Sequence, residues 1–231
     1  MSEQILNNTS FGSAVSAESR NRVLRNTYWL LALSLIPTVL GAWLGVSTGI
    51  TKAFMGGWMG IVVFLGGAFA FMYAIEKTKN SAVGVPVLLA FTFFMGLMLS
   101  SLISRVLGYS NGPSLIMTAF GGTAGVFFVM ASLASVIKRD LSGMGKWLFV
   151  GAIVLMIGSI IGVLVGSSAA MIAVSVAAIG IFSAYMLYDL KQIIDGGEAN
   201  YISATLSLYL DIFNVFQSLL SLLGIFGGER D

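Results

Sequence analysis

Seven long apolar runs follow one another along the chain, separated by short polar stretches. Each run is about 18 to 25 residues long. An α-helix rises 1.5 Å per residue, so roughly 20 apolar residues cross the hydrocarbon core of a bilayer. The pattern therefore predicts seven membrane-spanning helices. The runs cover residues 28–46, 54–75, 82–104, 114–137, 147–166, 169–190 and 202–226.

Composition supports an integral membrane protein. The chain is 57% hydrophobic and 10% charged, with a mean hydropathy of +0.94, whereas soluble domains carry about 25% charged residues. The sequence predicts an all-α protein with one membrane domain over residues 28–226. Residues 1–27 are polar to mixed and predict a flexible cytoplasmic tail, and residues 227–231 form a short C-terminal tail.

Lysine and arginine are distributed unevenly between the two ends of the predicted helices. Nine lie on the side of the N-terminus and three on the other side. Because basic residues concentrate in cytoplasmic loops, we expect the N-terminus in the cytoplasm and the C-terminus outside. The cytoplasmic set is Arg20, Arg22, Arg25, Lys77, Lys79, Lys138, Arg139, Lys146 and Lys191, and the outer set is Lys52, Arg105 and Arg230.

The last apolar run carries a stripe of polar residues around Asp211. A carboxylate at that depth costs roughly 2.5–3.5 kcal/mol on insertion scales, so it is usually shielded and usually functional. The stripe repeats every three or four residues and predicts a face that contacts other helices or a water-filled cavity. Interhelical hydrogen bonding is the alternative interpretation. Its members are Ser203, Ser207, Asp211, Asn214, Ser218 and Ser221.

Asp189 is a second acidic residue, near the end of the sixth run. The loop 195–200 is short, so the last two helices must be antiparallel neighbours and Asp189 could approach Asp211. Two carboxylates in one poorly solvated site cannot both ionise cheaply, and the pair is expected to exchange protons as a unit. Their oxygens also suit Ca²⁺ or another hard cation, without defining a firm metal site. Alternatively, Asp189 pairs with Lys191 or Arg139.

Missing residue types exclude several chemistries. The chain has no cysteine and no histidine, which excludes disulfides, thiolate nucleophiles, Cys or His zinc sites and Ser–His catalysis. Aspartyl intramembrane proteases carry a glycine directly before their second aspartate, and here Leu210 precedes Asp211. We therefore predict neither an enzyme nor a cofactor. The net charge of +2 is too small to indicate nucleic acid.

Glycine pairs spaced by four residues predict close helix packing. The pairs are Gly41 with Gly45, Gly56 with Gly60 and Gly121 with Gly125, and Gly158, Gly162 and Gly166 form a longer run of the same kind. Small residues at this spacing allow two helix backbones to approach each other, although the spacing does not identify the partner helix.

Two segments resemble the Bax inhibitor-1 family of small multi-span proteins. They are Tyr188–Leu190, which contains Asp189, and residues 207–216, SLYLDIFNVF, which contain Asp211 and Asn214. The resemblance covers the whole membrane domain and implies six helices around a central seventh. It also implies a pH-sensitive cation (Ca²⁺) leak in which Asp189 and Asp211 are the sensor and Asn214 lies on the ion pathway. Channel-type members use a basic residue in the second helix, and none lies between Phe54 and Ile75.

Three further segments resemble the bacterial YccA-like branch of that family. They are residues 23–28, residues 218–224 and the loop 194–202, whose matching residues are Gly196, Gly197, Glu198, Asn200 and Tyr201. The resemblance implies an inner-membrane partner and slow substrate of the AAA-type membrane protease FtsH, associated with its HflK–HflC partners. Such a protease needs an unstructured starting point, and the polar residues 1–19 would supply one.

Overall fold

A computed structural model of the chain describes residues 2–51 and 57–229, with side chains described for residues 17–51 and 58–229. The described part contains seven long α-helices and no strand. All seven are long and apolar enough to cross a membrane, the first over Ala17–Thr48, which confirms the predicted all-α membrane fold. The helices are α1 (Ser2–Thr48), α2 (Gly57–Thr78), α3 (Gly84–Val106), α4 (Gly112–Val136), α5 (Met144–Val165), α6 (Ser168–Asp195) and α7 (Tyr201–Gly227).

Local sequence signals define the ends of the last three helices. Gly166 follows α5 with φ 66°, and Gly196 follows α6 with φ 83°, a left-handed conformation that glycine adopts without a steric penalty. Ser167 caps α6 by accepting a hydrogen bond from the Ala170 N–H. Asn200 caps α7 in the same way, accepting from Ile202 and from the next residue. These caps produce the two sharp turns that make α5, α6 and α7 antiparallel neighbours.

The C-terminal helix α7 lies inside the bundle. It packs against α1, α2, α3, α4 and α6, whereas α5 packs on the outer side of α6. The larger of two apolar clusters runs through this arrangement, and Phe91, Met186, Leu208 and Tyr209 are among its fully buried members. The outward faces are also apolar, as Trp147 at 80% exposure illustrates. In a membrane protein these faces contact lipid, and helix association depends on packing and hydrogen bonds instead.

Small residues bring α1 and α3 into close contact. A methyl group at Gly41 would overlap the Phe93 carbonyl oxygen, and one at Gly45 would lie 2.5 Å from Cβ of Ser100. The prediction for this first glycine pair is confirmed. The prediction for Gly121 and Gly125 is wrong, because neither has an atom within 4 Å of the position of an added Cβ.

The predicted flexible tail, residues 1–27, stays a prediction, because the side chains of residues 1–16 lie outside the described part. Residues 17–27 belong to α1, and Thr27 is fully buried. Helix α1 thus includes residues before the apolar run at residue 28, and these contact segments at the same end of the bundle, as Arg20 does over Gly196 and the Thr27 carbonyl oxygen does with Thr205. The C-terminal residues 230–231 also lie outside the described part.

Candidate functional site

Asp211 lies in the middle of α7 and only 4% of it is exposed. Its carboxyl group lies near that of Asp189 on α6, and the two interact electrostatically. Oxygen Oδ2 of Asp211 is buried and has no hydrogen-bond partner among the described residues. Two carboxyl groups can share a hydrogen bond only when one of them carries a proton, so this placement suits a singly protonated pair.

Complete ionisation of this pair would be costly. Two unit charges about 4 Å apart repel each other by roughly 4 kcal/mol at an effective dielectric constant of 20. Glu198, in the loop after α6, adds further negative potential at Asp189. The arrangement therefore favours the contact while a proton is present and opposes it when the proton leaves.

The alternative role of Asp189, an ion pair with a neighbouring base, is wrong. Lys191 instead binds Asp195 one turn further along α6, with Nζ 2.9 Å from Oδ1. Arg139 makes no salt bridge with Asp189 in the described part of the chain. The carboxyl group of Asp189 is consequently left to interact with Asp211.

A cavity of about 270 Å³ opens at the end of the bundle beside Asp189. Its wall combines polar side chains from α6, the following loop and α7. Asp211 does not line the cavity. The arrangement places one carboxylate at a polar opening and the other in the apolar interior. The lining residues are Tyr188, Asp189, Gln192, Ile193, Gly197, Glu198, Ala204 and Ser207.

The other members of the polar stripe do not join helices together. Asn214 donates from Nδ2 to the Leu210 carbonyl oxygen at 2.8 Å, within its own helix. Ser218 is buried, and Ser207 lines the cavity. No described hydrogen bond connects the stripe's serine hydroxyls to another helix, so the alternative interpretation of this stripe fails for them. The described residues also contain no group of three or more acidic ligands that could hold a metal ion.

The loop 196–200 contacts α1 and the α2–α3 loop as well as the start of α7. Asn200 donates from Nδ2 to the Lys79 carbonyl oxygen at 3.1 Å and to Oδ1 of Asn80 at 2.8 Å. Glu198 accepts a hydrogen bond from the Asn200 N–H at 2.7 Å. The Arg20 side chain of α1 covers Gly196, where an added Cβ would lie 2.8 Å from its Cδ. Asn200 therefore fixes the start of α7 to the α2–α3 loop.

Sequence reasoning missed two contacts that position α7. The Tyr209 hydroxyl lies 2.8 Å from Oγ1 of Thr38 on α1 and 3.4 Å from the Thr92 carbonyl oxygen on α3. At the far end of α7, Asn111 donates to the Gly227 carbonyl oxygen at 2.6 Å and accepts from the Glu229 N–H. These partners are more than a hundred residues apart, and an aromatic residue in an apolar helix gives no signal of a polar role.

Comparison with known proteins assigns the chain to a family. Residues 20–228 match the family described as inhibitor of apoptosis-promoting Bax1. The chain is 36% identical over 206 residues to the modulator of FtsH protease YccA of Escherichia coli K12, with 89% of this chain and 91% of YccA covered. The counterpart in E. coli O6:H1 matches to the same extent and is named an inner membrane protein. A Neisseria meningitidis serogroup A protein is 34% identical over 213 residues, covering 91% of this chain and 94% of that protein. The chain therefore belongs to the Bax inhibitor-1 family.

Proposed function

We propose that this protein is an inner-membrane partner of an FtsH-type AAA protease, which it modulates and which degrades it slowly. The observation that carries the proposal is the 36% identity to YccA, a named modulator of FtsH protease, over 89% of the chain. Association with HflK–HflC belongs to the same proposal.

The inside end of the bundle offers a surface for such a partner. The α1 span from Ala17 to Thr48 has 32 residues, about 48 Å at 1.5 Å per residue, whereas the hydrocarbon core is about 30 Å thick. Its first turns project beyond the core and lie against the loop 196–200 through Arg20. The N-terminal tail and the loop therefore belong to the same end of the molecule.

This surface faces the cytoplasm if the N-terminus is inside. The nine-to-three distribution of basic residues supports that orientation. Helix α7 also runs the full length of α3. It starts at Asn200, which contacts the α2–α3 loop, and it ends at Gly227, which Asn111 contacts from the loop after α3. We expect alkaline phosphatase fused after Asp231 to be active. An active cytoplasmic reporter at that point, together with an inactive phosphatase, would contradict the predicted orientation.

Copurification tests the partnership. A tagged chain extracted from native membranes in mild detergent should bring the protease with it. Asn200→Ala should reduce recovery severalfold, because it releases the loop from Lys79 and Asn80. Asn111→Ala is the matched control, since it removes a similar clamp at the opposite end of α7. Absence of the protease from the wild-type sample contradicts the proposal.

Turnover tests the role of the tail as a degradation handle. Deletion of residues 2–19 should lengthen the half-life in cells that contain the protease and leave membrane insertion unchanged. In cells without the protease, the full-length and shortened chains should have equal half-lives. Equal half-lives in both strains would exclude the tail as the handle.

A second candidate function is a pH-sensitive cation leak, with Ca²⁺ and protons as its ligands. The observation that favours it is the buried Asp189–Asp211 contact beside the 270 Å³ cavity. Loss of the shared proton would oppose the α6–α7 packing and leave acidic oxygens available to a hard cation. Asn214, one turn beyond Asp211 in α7, would then lie further along the path.

Flux into liposomes tests the leak. Ca²⁺ entry should depend on pH in the wild type, and Asp211→Asn should remove most of that dependence because an amide cannot lose the shared proton. Asp195→Asn is the matched control, since Asp195 lies on α6 but binds Lys191. Identical flux in protein-free and protein-containing liposomes contradicts a leak.

A further inference from the structure

The connection between α4 and α5 concentrates positive charge at the inside end of the bundle. Lys138 and Arg139 follow the last turn of α4, and Lys146 lies in the first turn of α5. All three side chains are exposed. Asp140 is the one acidic residue of this stretch, which therefore carries three positive charges against one negative charge. Residues 138–146 are called the basic segment.

The positive charges of the basic segment have no acidic partner among the described residues. In that part of the chain, the two salt bridges lie at the inside ends of α2 and α6. The carboxylate of Asp140 is directed to Ser142 instead, accepting from its N–H at 2.8 Å and from its Oγ at 2.9 Å. Lys138, Arg139 and Lys146 are therefore available to an anion from outside the chain.

Contacts within the loop and with α6 hold the basic segment in place. Leu141 is buried, and its carbonyl oxygen accepts from the Met144 N–H at 2.8 Å. An added Cβ at Gly145 would lie 2.7 Å from the Tyr188 hydroxyl of α6. Gly143 faces open space, because an added Cβ there has no atom within 4 Å. The segment is thus anchored on one side and uncovered on another.

Exposed apolar residues on both sides of the basic segment place it at the membrane surface. Val136, the last residue of α4, is largely exposed, as are Trp147 and Phe149 in the first turns of α5. On a spanning helix such residues contact lipid, and tryptophan concentrates where the hydrocarbon core meets the headgroups. Lys138 is two residues from Val136, and Lys146 is next to Trp147. The charges therefore lie at the depth of the phospholipid headgroups, a layer roughly 5–7 Å thick on each side of the core.

We propose that the basic segment binds the headgroup of an anionic phospholipid, with Lys138, Arg139 and Lys146 contacting its phosphate and Trp147 lying against its acyl chains. A guanidinium donates two parallel hydrogen bonds to a phosphate, and each ammonium adds a positive charge. A zwitterionic lipid carries its own cation beside the phosphate, so the net positive charge of the segment favours a lipid with net negative charge. A soluble phosphate ester would match the charges but not the adjacent apolar surface. This binding requires neither a protease partner nor an ion pathway.

Two other arginines provide matched comparisons for Arg139. Trp29 is largely exposed where the apolar part of α1 begins, and Arg22 lies seven residues before it. Seven residues correspond to about 10 Å along the helix axis, so Arg22 lies beyond the headgroup layer. Arg105, in the last turn of α3, is exposed at the other end of the bundle. Among the described residues it is the only basic one at that end.

Native mass spectrometry of the full-length chain in detergent measures the binding of lipid. Phosphatidylglycerol and phosphatidylethanolamine with the same acyl chains are titrated separately, and their apparent Kd values are compared. Phosphatidylglycerol should bind the wild type more tightly. Arg139→Gln should weaken its binding about fivefold, the contribution of one basic residue at an anionic surface, and change phosphatidylethanolamine binding little. Arg139→Lys keeps the charge and should retain most of the affinity.

Arg22→Gln and Arg105→Gln should each preserve the preference for phosphatidylglycerol. Weakening by either variant that equals the effect of Arg139→Gln would show a general effect of charge and overturn the proposal. Equal affinity of the wild type for the two lipids would overturn it as well. Displacement of phosphatidylglycerol by an equal concentration of inorganic phosphate would assign the segment to a soluble anion instead. Unchanged lipid affinity in Arg139→Gln, together with reduced copurification of the protease, would make the segment a protein-docking surface and reject the lipid.

Discussion

Substitution of Gly96 by alanine should separate α1 from α3 and destabilise the protein. A methyl group there would overlap the Thr38 carbonyl oxygen and lie 2.8 Å from its carbonyl carbon and 3.0 Å from the Ala42 nitrogen. All three atoms belong to the backbone of α1. The clash cannot be relieved by rotating a side chain, so the two helices must move apart.

The magnitude follows from two opposing contributions. The carbon–carbon distance must grow by at least about 0.6 Å to reach ordinary contact near 3.4 Å, and such overpacking typically costs about 1–3 kcal/mol. Replacing glycine by alanine inside a helix returns up to about 1 kcal/mol. Because all the clashing atoms belong to the α1 backbone, the cost should lie in the upper part of that range, about 2–3 kcal/mol, and the expected net destabilisation is then roughly 1–2 kcal/mol.

Thermal unfolding in one detergent provides the assay, with Gly66→Ala on α2 as the control. An added Cβ at Gly66 has no atom within 4 Å, so this variant should be as stable as the wild type or slightly more so. Gly96→Ala should unfold several degrees lower, since about 1 kcal/mol shifts Tm by 2–4 °C in proteins of this length. Equal melting temperatures for both variants would refute the packing argument.

Three other variants should give distinct results. Tyr209→Phe should lose about 0.5–1 kcal/mol of stability, the net value of one buried hydrogen bond, and leave the pH dependence of the liposome flux unchanged. Asp189→Asn and Asp211→Asn should act non-additively on pH-dependent flux, because each removes the same shared proton; additive effects would show independent sites. Hydrogen bonds from Ser142 lower the pKa of Asp140 from its ordinary 3.8. The stabilisation that the ionised Asp140 gives the fold is therefore lost only as the pH falls below 3.8. Between pH 5 and 8, Asp140→Asn should leave the pH dependence of the flux unchanged.

Lipid makes some features predictable from sequence. A spanning segment must be apolar and must satisfy its own backbone, so hydropathy alone predicts seven helices. The short loop 195–200 forces α6 and α7 together, and the helical positions of Asp189 and Asp211 then allow the observed contact. In both cases the deciding information is local in the chain.

Other features depend on partners that sequence does not identify. The glycine spacing at Gly41 and at Gly121 is the same, yet only the first meets another backbone, because the bundle places α3 beside it. Asn200 serves as a helix cap, as its residue type suggests, but its bonds to Lys79 and Asn80 require the α2–α3 loop to lie nearby. Helix packing decides both outcomes.

The loop 196–200 connects the surface proposed for a protease with the aspartate pair. Glu198 lines the cavity beside Asp189 and also accepts the Asn200 N–H, while Gly196 lies beneath Arg20 of α1. A partner that binds the first turns of α1 and this loop would therefore contact the rim of the cavity. If deprotonation of the pair changes the loop, linkage requires that partner binding change the proton affinity of the pair by the same factor. Protease modulation and a proton-linked leak would then both depend on the loop 196–200, and the two functions do not exclude each other.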